Sequence, residues 1–458
     1  MAFDQAEIEK MLSADLLPSW VKEKRRLDDI DRWARWDHTP PHSPRQATSE
    51  HKALAGRAQV PWGDLVVTTV TQTLYVIGYR RPSDPDDGAP WRTWQANGMD
   101  ARQIALHRAA LTYGLAYGVA LPGSTLTGER LAQMFAVSPR QMIALYDDVA
   151  QDQWPQIAMR VIPGRGGRAR VVVYDDQHIH TFEGADGADG KLTHVGAEEH
   201  GAGVCPVVRF ANRFDLEGRS TGEVEPFVPL FGSIEQTKYD RLNVQRFASW
   251  VVRTISGMSI DETAKARNQT EDQVMMRLRA NDILVSADPD TKFGSLPATD
   301  LPGFISAHEA DVRELAAVSQ TPAHEMLGMM ANLSAEALAA AKASQTAKSE
   351  GCKTVFGESH EQWLRLTAHL EGNADAAADF EAEVRWKDTE IRSMAQAADA
   401  LGKLAQMLGV PVELLWEKIP GFSEQDVDRA KAMVQDDAIS RLFADLDRQM
   451  NPAATVGA

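Results

Sequence analysis

The sequence is short of cysteine, of basic charge and of long apolar runs. Only two cysteines occur among 458 residues, so neither a disulfide framework nor a CxxC metal knuckle can form. Acidic residues outnumber basic ones, 65 to 48, and the net charge of −17 disfavours a protein that grips nucleic acid through an overall basic surface. No apolar stretch reaches the ~18 residues that a membrane helix needs. The acidic start, Met1 to Glu7, does not resemble a signal peptide. We therefore expect that the protein is made and kept in a reducing cytoplasm and that it has no membrane partner.

What remains is the composition of a globular chain. Apolar residues make up 43% and charged residues 25%, which indicates neither disorder nor a fibrous repeat. At roughly 100 to 200 residues per domain, the length predicts about two to four structural units.

Helices and strands are expected to alternate up to about Pro226. Asp100 with Gln103 resembles a capping box at a helix start, and Leu65 to Tyr79 fits a helix that runs into a strand, although a helix throughout stays open. Residues 160–182 are typical of a β-hairpin around the glycine turn 164–167, and residues 206–210 of another short strand.

Helices dominate from Val228 onward. The apolar residues between Tyr239 and Val251 do not fall on one stripe, which is typical of a helix packed between neighbours. The polar stretch 261–301 is expected to be a small insertion between this helix and a second one, which Thr321-Pro322 stops. A long helix and a C-terminal group of helices follow.

No enzyme signature is present. The chain has no GxSxG, P-loop or HExxH motif, so we assign no catalytic residue and no cofactor. His178 and His180 point to one face of a predicted strand close to Asp175, which is a conceivable metal pair. Because no third ligand has a recognisable spacing, we assign no metal.

One loop is unusual in composition. Residues 327–333 place two methionines and an asparagine between a glycine and a helix start. On composition alone, the methionines are expected to pack into the core of a helix–helix connection.

Taken in order, several segments resemble the portal protein family of tailed bacteriophages, in the branch of siphovirus portals from actinobacterial phages. The start of the helix near Ser233 departs from the family, because related portals often carry an aspartate there. The segments that carry the resemblance are 55–58 (AGRA), 75–80 (YVIGYR), 94–97 (WQAN), 109–117, 138–142 (SPRQM), 205–213 (CPVVRFANR), 222–224 (GEV), 321–324 (TPAH) and 332–338 (NLSAEAL).

The resemblance implies an α+β, mainly helical portal fold, with a mixed α/β wing, a two-helix stem, a small α/β clip and a helical crown. The implied boundaries are 1–227 for the wing, 228–256 for the first stem helix, 257–302 for the clip, 303–322 for the second stem helix, 323–333 for the tunnel loop, 334–387 for the wing helix and its connection, and 388–458 for the crown and tail.

The resemblance also implies a function. A ring of about twelve copies would sit at one capsid vertex in the virion, after assembly in the host cytoplasm, as the channel for packaging and ejecting double-stranded DNA. Its partners would be the terminase large subunit, a head-completion or adaptor protein, and the major capsid and scaffolding proteins. Two alternatives stay open: another phage head or connector structural protein, or a metal-dependent enzyme that uses Asp175, His178 and His180.

Three groups of residues carry this function if the resemblance holds. Arg267, Arg277 and Arg279 would dock partners at the clip. Lys342 and Lys348 could contact DNA phosphates, although solvated lysines on a helix face are an equal alternative. The tunnel loop would consist of Gly328, Met329, Met330, Ala331, Asn332 and Leu333.

Overall fold

The computed structural model divides into two units, residues 1–386 and 387–458, which are treated separately. The structure describes residues 3–43, 48–81, 87–164, 168–185, 192–248, 253–256, 292–295, 301–328, 335–388, 394–416, 418–419, 421–422, 426–427 and 429–434. Within these residues, no helix is long and apolar enough to cross a bilayer. Cys205 and Cys352 are both free and buried.

The first unit mixes helices and strands, as predicted. Its helices are α1 (Gln5–Met11), which a π-helical turn (Leu12–Leu16) joins to α2 (Leu17–Ala34), then α3 (Ser49–Ala58), α4 (Trp62–Thr71), α5 (Ala89–Ala96), α6 (Met99–Tyr113), α7 (Val228–Ala248), α8 (Leu301–Ser319), α9 (Ala323–Leu327), α10 (Ala335–Glu371) and α11 (Ala374–Ala377). Its strands are β1 (Val76–Arg80), β2 (Leu115–Leu121), β3 (Gln133–Val137), β4 (Met142–Leu145), β5 (Ile157–Pro163), β6 (Arg168–Tyr174), β7 (His178–Ala185), β8 (Thr193–Glu199), β9 (Val207–Ala211), β10 (Arg253–Ser256), β11 (Lys292–Ser295) and β12 (Glu383–Trp386).

Within the described part of the chain, the strands form four antiparallel sheets. β4 to β8 make a five-stranded meander, β3-β2-β9 a three-stranded sheet, and β1-β12 and β10-β11 two-stranded ribbons. The predicted hairpin is confirmed, because β5 and β6 pair from Ala158↔Tyr174 to Pro163↔Ala169. The strand expected at 206–210 is confirmed as β9, and the run 65–79 is a helix followed by a strand.

The N-terminal helix covers one face of the five-stranded sheet. Asp4 and Glu7 form a capping box, in which the Asp4 carboxylate accepts the Glu7 amide at 2.7 Å and the Glu7 carboxylate accepts the Asp4 amide at 3.0 Å. The helix then buries Ile8, Leu12 and Leu16 against strand residues such as Phe182. This apolar contact fixes which sheet face is covered.

The capping box expected at Asp100 is wrong. Gly98, with φ 62°, is the N-cap of α6, so Asp100 lies inside the first turn and accepts the Trp94 indole N–H at 2.9 Å. Gln103 instead bridges to β1, since its amide oxygen accepts the Val76 amide at 2.7 Å and its amide nitrogen donates to the Val76 carbonyl at 3.1 Å. Hydrogen bonds between Asp100 and Trp94 and between Gln103 and Val76 therefore take the place of the local cap that the spacing predicted.

The helix expected to begin at Val228 is shorter than the sequence predicted. A helix was predicted over 228–256, but α7 ends at Ala248 and Arg253–Ser256 is a strand paired with Lys292–Ser295. β-branched residues such as Thr254 and Ile255 favour an extended backbone once a partner strand is available. The second helix is α8, and the long helix α10 begins within a residue of its predicted start.

The long helix α10 runs through the main core. Phe356, Trp363 and Leu364 are fully buried, and the indole of Trp363 lies against Gly118 of β2, where an added Cβ would come within 2.9 Å of the ring. α10 thereby joins the three-stranded sheet to the helices α4, α5 and α6.

Two histidines meet inside this core. His107 donates from Nδ1 to the Leu74 carbonyl at 3.2 Å, and its Nε2 lies 2.8 Å from Nε2 of His360, so one neutral ring donates to the other. Burial lowers the pKa of His107 to about 4, although the hydrogen bond to the Leu74 carbonyl acts to raise it. Burial, together with the charge of His107, lowers the pKa of His360 well below its usual value.

This pair predicts a loss of stability in acid. Between about pH 4 and pH 6.5, His107 is protonated in the unfolded chain but neutral in the folded chain. The free energy of unfolding therefore decreases as pH falls through that window. From pH 7 to pH 5 we expect a loss of about 2 kcal/mol from His107 alone. Denaturant midpoints measured across this range check it. The double variant His107→Gln/His360→Gln should show a shallower dependence, and an unchanged slope would contradict the assignment.

The second unit is described by itself. It contains helices α12 (Met394–Leu408) and α13 (Val412–Trp416). Gly409, at φ 66°, ends the first of them as the sequence predicted, because a left-handed residue after a helix favours glycine.

Candidate functional site

The candidate site is the connection between α8 and α10, together with the side chains that hold its ends. Helix α8 stops at Ser319, and Gln320 takes a left-handed φ of 56°. The Thr321 amide then donates back to the Ala316 carbonyl at 3.0 Å, while the Ser319 hydroxyl donates to the Thr321 hydroxyl at 3.1 Å. Pro322 caps the short helix α9, so the chain turns sharply at the predicted stop.

Gly328 ends α9. Its φ of 63° is the left-handed conformation that favours glycine after a helix. The remaining tunnel-loop residues of the sequence prediction, Met329 to Leu333, lie outside the described residues, as do Arg267, Arg277 and Arg279 of the predicted clip.

A buried ion pair anchors the end of α8. The Lys348 amine of α10 lies 2.5 Å from the Glu223 carboxylate and donates to the Ser319 carbonyl at 2.9 Å. The Lys348 side chain is 6% exposed and that of Glu223 is 1% exposed. A cation at a helix C-terminus also interacts favourably with the helix dipole. The phosphate contact expected of Lys348 is therefore wrong, because its charge is buried and already paired.

Glu223 is shared with other donors. Arg213 approaches both of its oxygens, with Nε 3.0 Å from Oε1 and Nη2 donating to Oε2 at 3.1 Å. Asn212 donates to Oε1 at 3.1 Å. Arg213 adopts a left-handed φ of 48°, an uncommon conformation for a residue with a side chain. A buried carboxylate with this many donors is well compensated for its desolvation.

Close backbone packing sets the position of Glu223. The neighbouring Gly222 lies against α6, where an added Cβ would come within 2.3 Å of the Thr112 carbonyl oxygen. Gly114, at φ 93°, makes the reciprocal approach to Gly222. The Glu223 amide donates to the Leu111 carbonyl at 2.6 Å, which ties this turn to the C-terminal end of α6.

The second flank of the connection is held more loosely. Lys342 of α10 pairs with Glu325 of α9 at 3.2 Å, and their side chains are 38% and 29% exposed. Surface pairs of this kind contribute little to stability, about 0–1 kcal/mol. Lys342 therefore keeps an accessible amine, in contrast to Lys348.

Helices α7 and α8 pack against each other. The Thr237 hydroxyl donates to the Asp311 carboxylate at 2.9 Å between them. Burial, with the charges of Arg241 and Lys238, lowers the pKa of His308 at this contact. Within α8, Ile305 is 44% exposed, while Val312 and Leu315 are buried.

The N-terminal end of α7 is tied to the body of the unit. Its Glu235 is buried, accepts the Val60 amide at 2.9 Å and lies 2.8 Å from Nε2 of His38. The His38 ring stacks on Trp33 at 3.6 Å. One end of α7 is thus fixed to α2 and the segment before α4.

The structure brings the three conceivable metal ligands together. Ligand atoms of Asp175, His178 and His180 all lie within 4.8 Å of one another. Burial would raise the pKa of Asp175, but hydrogen bonds from the His180 ring and from the amides of His178 and Gln177 outweigh it and lower the pKa.

Comparison with known proteins identifies the class. A model of the family described as phage portal protein, SPP1 Gp6-like, matches residues 18–439. The portal protein of Mycobacterium phage D29 is 26% identical over 369 residues, and that of Mycobacterium phage L5 is 24% identical over 361 residues. Each match covers 76% of this chain and 72% of the relative. The chain belongs to the SPP1 Gp6-like family of phage portal proteins.

Solved structures show a weaker likeness. The neck of an empty GTA particle with C6 symmetry has a TM-score of 0.45 at 11% identity, over 85% of this chain and 95% of that chain. The neck of a native GTA particle with C12 symmetry has a TM-score of 0.44 at 12% identity, over 85% and 94%.

Family membership decides between the alternatives drawn from the sequence. The chain is a phage portal protein, a structural head–tail connector component of the virion, and not an enzyme. The resemblance to siphovirus portals is confirmed, and the reading as a metal-dependent enzyme is removed.

Proposed function

We propose that this chain forms a ring of about twelve copies at one capsid vertex, assembled in the host cytoplasm, through which double-stranded DNA is packaged and later ejected. The ring also docks the terminase large subunit and a head-completion or adaptor protein, and contacts the major capsid and scaffolding proteins. The family match over residues 18–439 carries this proposal.

The charge of the chain supports a channel. Each copy carries a net −17, so a ring of copies carries a large negative net charge, of the same sign as the phosphate backbone. The duplex must slide through the ring, and strong pairing between its phosphates and basic side chains would hold it in place. Weak contacts therefore favour movement of the DNA. The ATP that drives packaging is hydrolysed by the terminase in this proposal, consistent with the structural role of the family.

The helix pair α7–α8, the β10-β11 ribbon and the segment between its strands are proposed as stem and clip, and Gly328 to Leu333 as the tunnel loop. Support for the loop comes from its flanks. Lys348 fixes the end of α8 before it, and Lys342 ties the start of α10 to α9. The segment between these helices carries the uncharged residues Met329, Met330 and Asn332, which could touch the duplex without salt bridges.

Lys342 is proposed as a sparse phosphate contact. Among the described residues its amine pairs with the partly exposed carboxylate of Glu325, and it can exchange that partner for a phosphate. Lys348 has a structural role instead, because its amine is buried against Glu223 and Ser319.

Replacing Met329 and Met330 with aspartate tests the loop. The added charges would repel DNA phosphates at the constriction, so rings should still assemble while nuclease-protected DNA in heads falls. The matched control, Met329→Leu/Met330→Leu, keeps volume and polarity and should package like the natural chain. If the aspartate variant fails to form rings, the methionines are core residues and the loop assignment fails.

Charge reversal tests the clip. Arg277→Glu/Arg279→Glu should weaken binding of terminase or adaptor in a pull-down while leaving the circular dichroism spectrum unchanged. Arg92→Glu/Arg219→Glu changes the net charge equally at two exposed ion pairs and serves as the control. Equal partner binding by both variants would remove the arginines from the docking surface.

A further inference from the structure

The turn between β6 and β7 holds a buried carboxylate in a fixed orientation. Asp175 has no exposed surface, and its Oδ1 accepts the Gln177 amide at 2.8 Å and the His178 amide at 2.5 Å. These two bonds close the turn and direct Oδ2 towards the His180 ring, whose Nε2 lies 3.3 Å away. Its backbone carbonyl accepts from His200 Nε2 at 3.2 Å, so the segment after β8 is joined to the same point.

Two histidines converge on this carboxylate. Residues two apart on a strand share a face, which places the rings of His178 and His180 side by side, with centroids 5.8 Å apart. His180 is 4% exposed. The Nδ1 atoms of both rings are buried without a hydrogen-bond partner among the described residues. The Nε2 atoms face the carboxylates instead, because that of His180 lies 3.3 Å from Asp175 Oδ2 and that of His178 lies 3.9 Å from Glu199, so Nε2 is the nitrogen through which each ring can ligate an ion.

We propose that Asp175, His178 and His180 bind one divalent transition-metal ion of the zinc class. Two imidazoles and a carboxylate are a donor set that zinc accepts, and their ligand atoms already lie within 4.8 Å of one another. The Glu199 carboxylate, 3.9 Å from His178 Nε2 and on the neighbouring strand, is within reach of the fourth position, which water can otherwise fill.

The role of this site is structural. The ion would fasten the end of β6, the start of β7 and, through Glu199, the end of β8, at the edge of the five-stranded sheet. The sequence placed Asp175 close to His178 and His180, but spacing alone does not show that the Asp175 side chain accepts the amides of Gln177 and His178 and so turns towards the start of β7. The competing account is a plain hydrogen bond between Asp175 and His180, which needs no metal.

Metal titration of the full-length chain without a histidine tag decides between these accounts. After treatment with EDTA and its removal, Zn²⁺ should bind with one saturable site per chain by calorimetry and should raise the melting temperature, whereas Mg²⁺ should do neither. Co²⁺ in place of Zn²⁺ should give a visible absorption band that Zn²⁺ abolishes. No saturable Zn²⁺ binding, or equal melting temperatures with Zn²⁺ and with EDTA, would overturn the proposal.

Variants locate the site. His178→Ala should lower Zn²⁺ affinity at least tenfold, because it removes a ligand from a half-buried position. His369→Ala removes an exposed histidine near the end of α10 and should bind as the natural chain does. Unchanged affinity in His178→Ala would contradict the assignment. If His178→Ala fails to fold, the more conservative Asp175→Asn, which can still accept the turn amides, must lose the Co²⁺ band for the proposal to stand.

Discussion

Replacing Lys348 with methionine is expected to lower the free energy of unfolding by about 3 kcal/mol. Methionine fills nearly the same space, but the amine that pairs with Glu223 and caps the Ser319 carbonyl is lost. Glu223 still pairs with Arg213 and accepts a hydrogen bond from Asn212. Its buried negative charge nevertheless loses one of its two cationic partners. Guanidinium denaturation followed by tryptophan fluorescence measures the loss.

A neighbouring ion pair provides the control. Lys353, on the same helix, pairs with Glu350, whose side chain is 62% exposed. The Lys353 side chain is itself 13% exposed, but Lys353→Met leaves its partner Glu350 in solvent and not buried without a cation, so it should cost less than about 1 kcal/mol. The double variant Glu223→Gln/Lys348→Met removes both buried charges and should recover part of the loss. A cost for Lys348→Met as small as that for Lys353→Met would show that the buried pair does not hold α8.

Replacing Gly222 with alanine is expected to cost more than about 3 kcal/mol or to prevent folding. The new Cβ would lie 2.3 Å from the Thr112 carbonyl oxygen and 2.9 Å from the Gly114 amide nitrogen. Both are backbone atoms, so no side-chain rotation relieves the clash, and the turn that carries Glu223 must move away from α6. The yield of folded protein and its denaturation midpoint report the effect.

Gly351→Ala is the matched control for this substitution. Gly351 lies within α10, and an added Cβ there meets nothing within 4 Å. Alanine is the better helix former by up to about 1 kcal/mol, so this variant should be as stable as the natural chain or more stable. Equal behaviour of the two alanine variants would contradict the close approach of Gly222 to α6.

Local patterns predicted much of the fold because the decisive interactions are local. The hairpin of β5 and β6 follows from β-branched residues on both sides of a glycine turn, and the end of α12 follows from Gly409. The prediction was wrong where a residue distant in the sequence determines the local structure. Gln103 bonds to Val76 in place of a local cap, and Arg253–Ser256 extends because Lys292–Ser295 lies beside it.

The same distinction between local and distant interactions applies to the candidate site. The sharp stop at Thr321-Pro322 could be predicted, since proline ends a helix locally. The burial of Lys348 could not, because its partner Glu223 lies 125 residues away in the sequence. A lysine in an alanine-rich helix is usually solvated, and only the fold shows that this one faces the core. The adjacent Gly222 was a signal, since glycine is favoured where two stretches of backbone approach closely.

The mass of the assembled protein tests the central claim most directly. Native mass spectrometry of the purified full-length chain, with negative-stain images of the same sample, should show a ring of about twelve copies with a central hole. Scaffolding protein is added if the chain alone stays small. A chain that remains a monomer or dimer at high concentration and with scaffolding protein present would contradict the proposed ring.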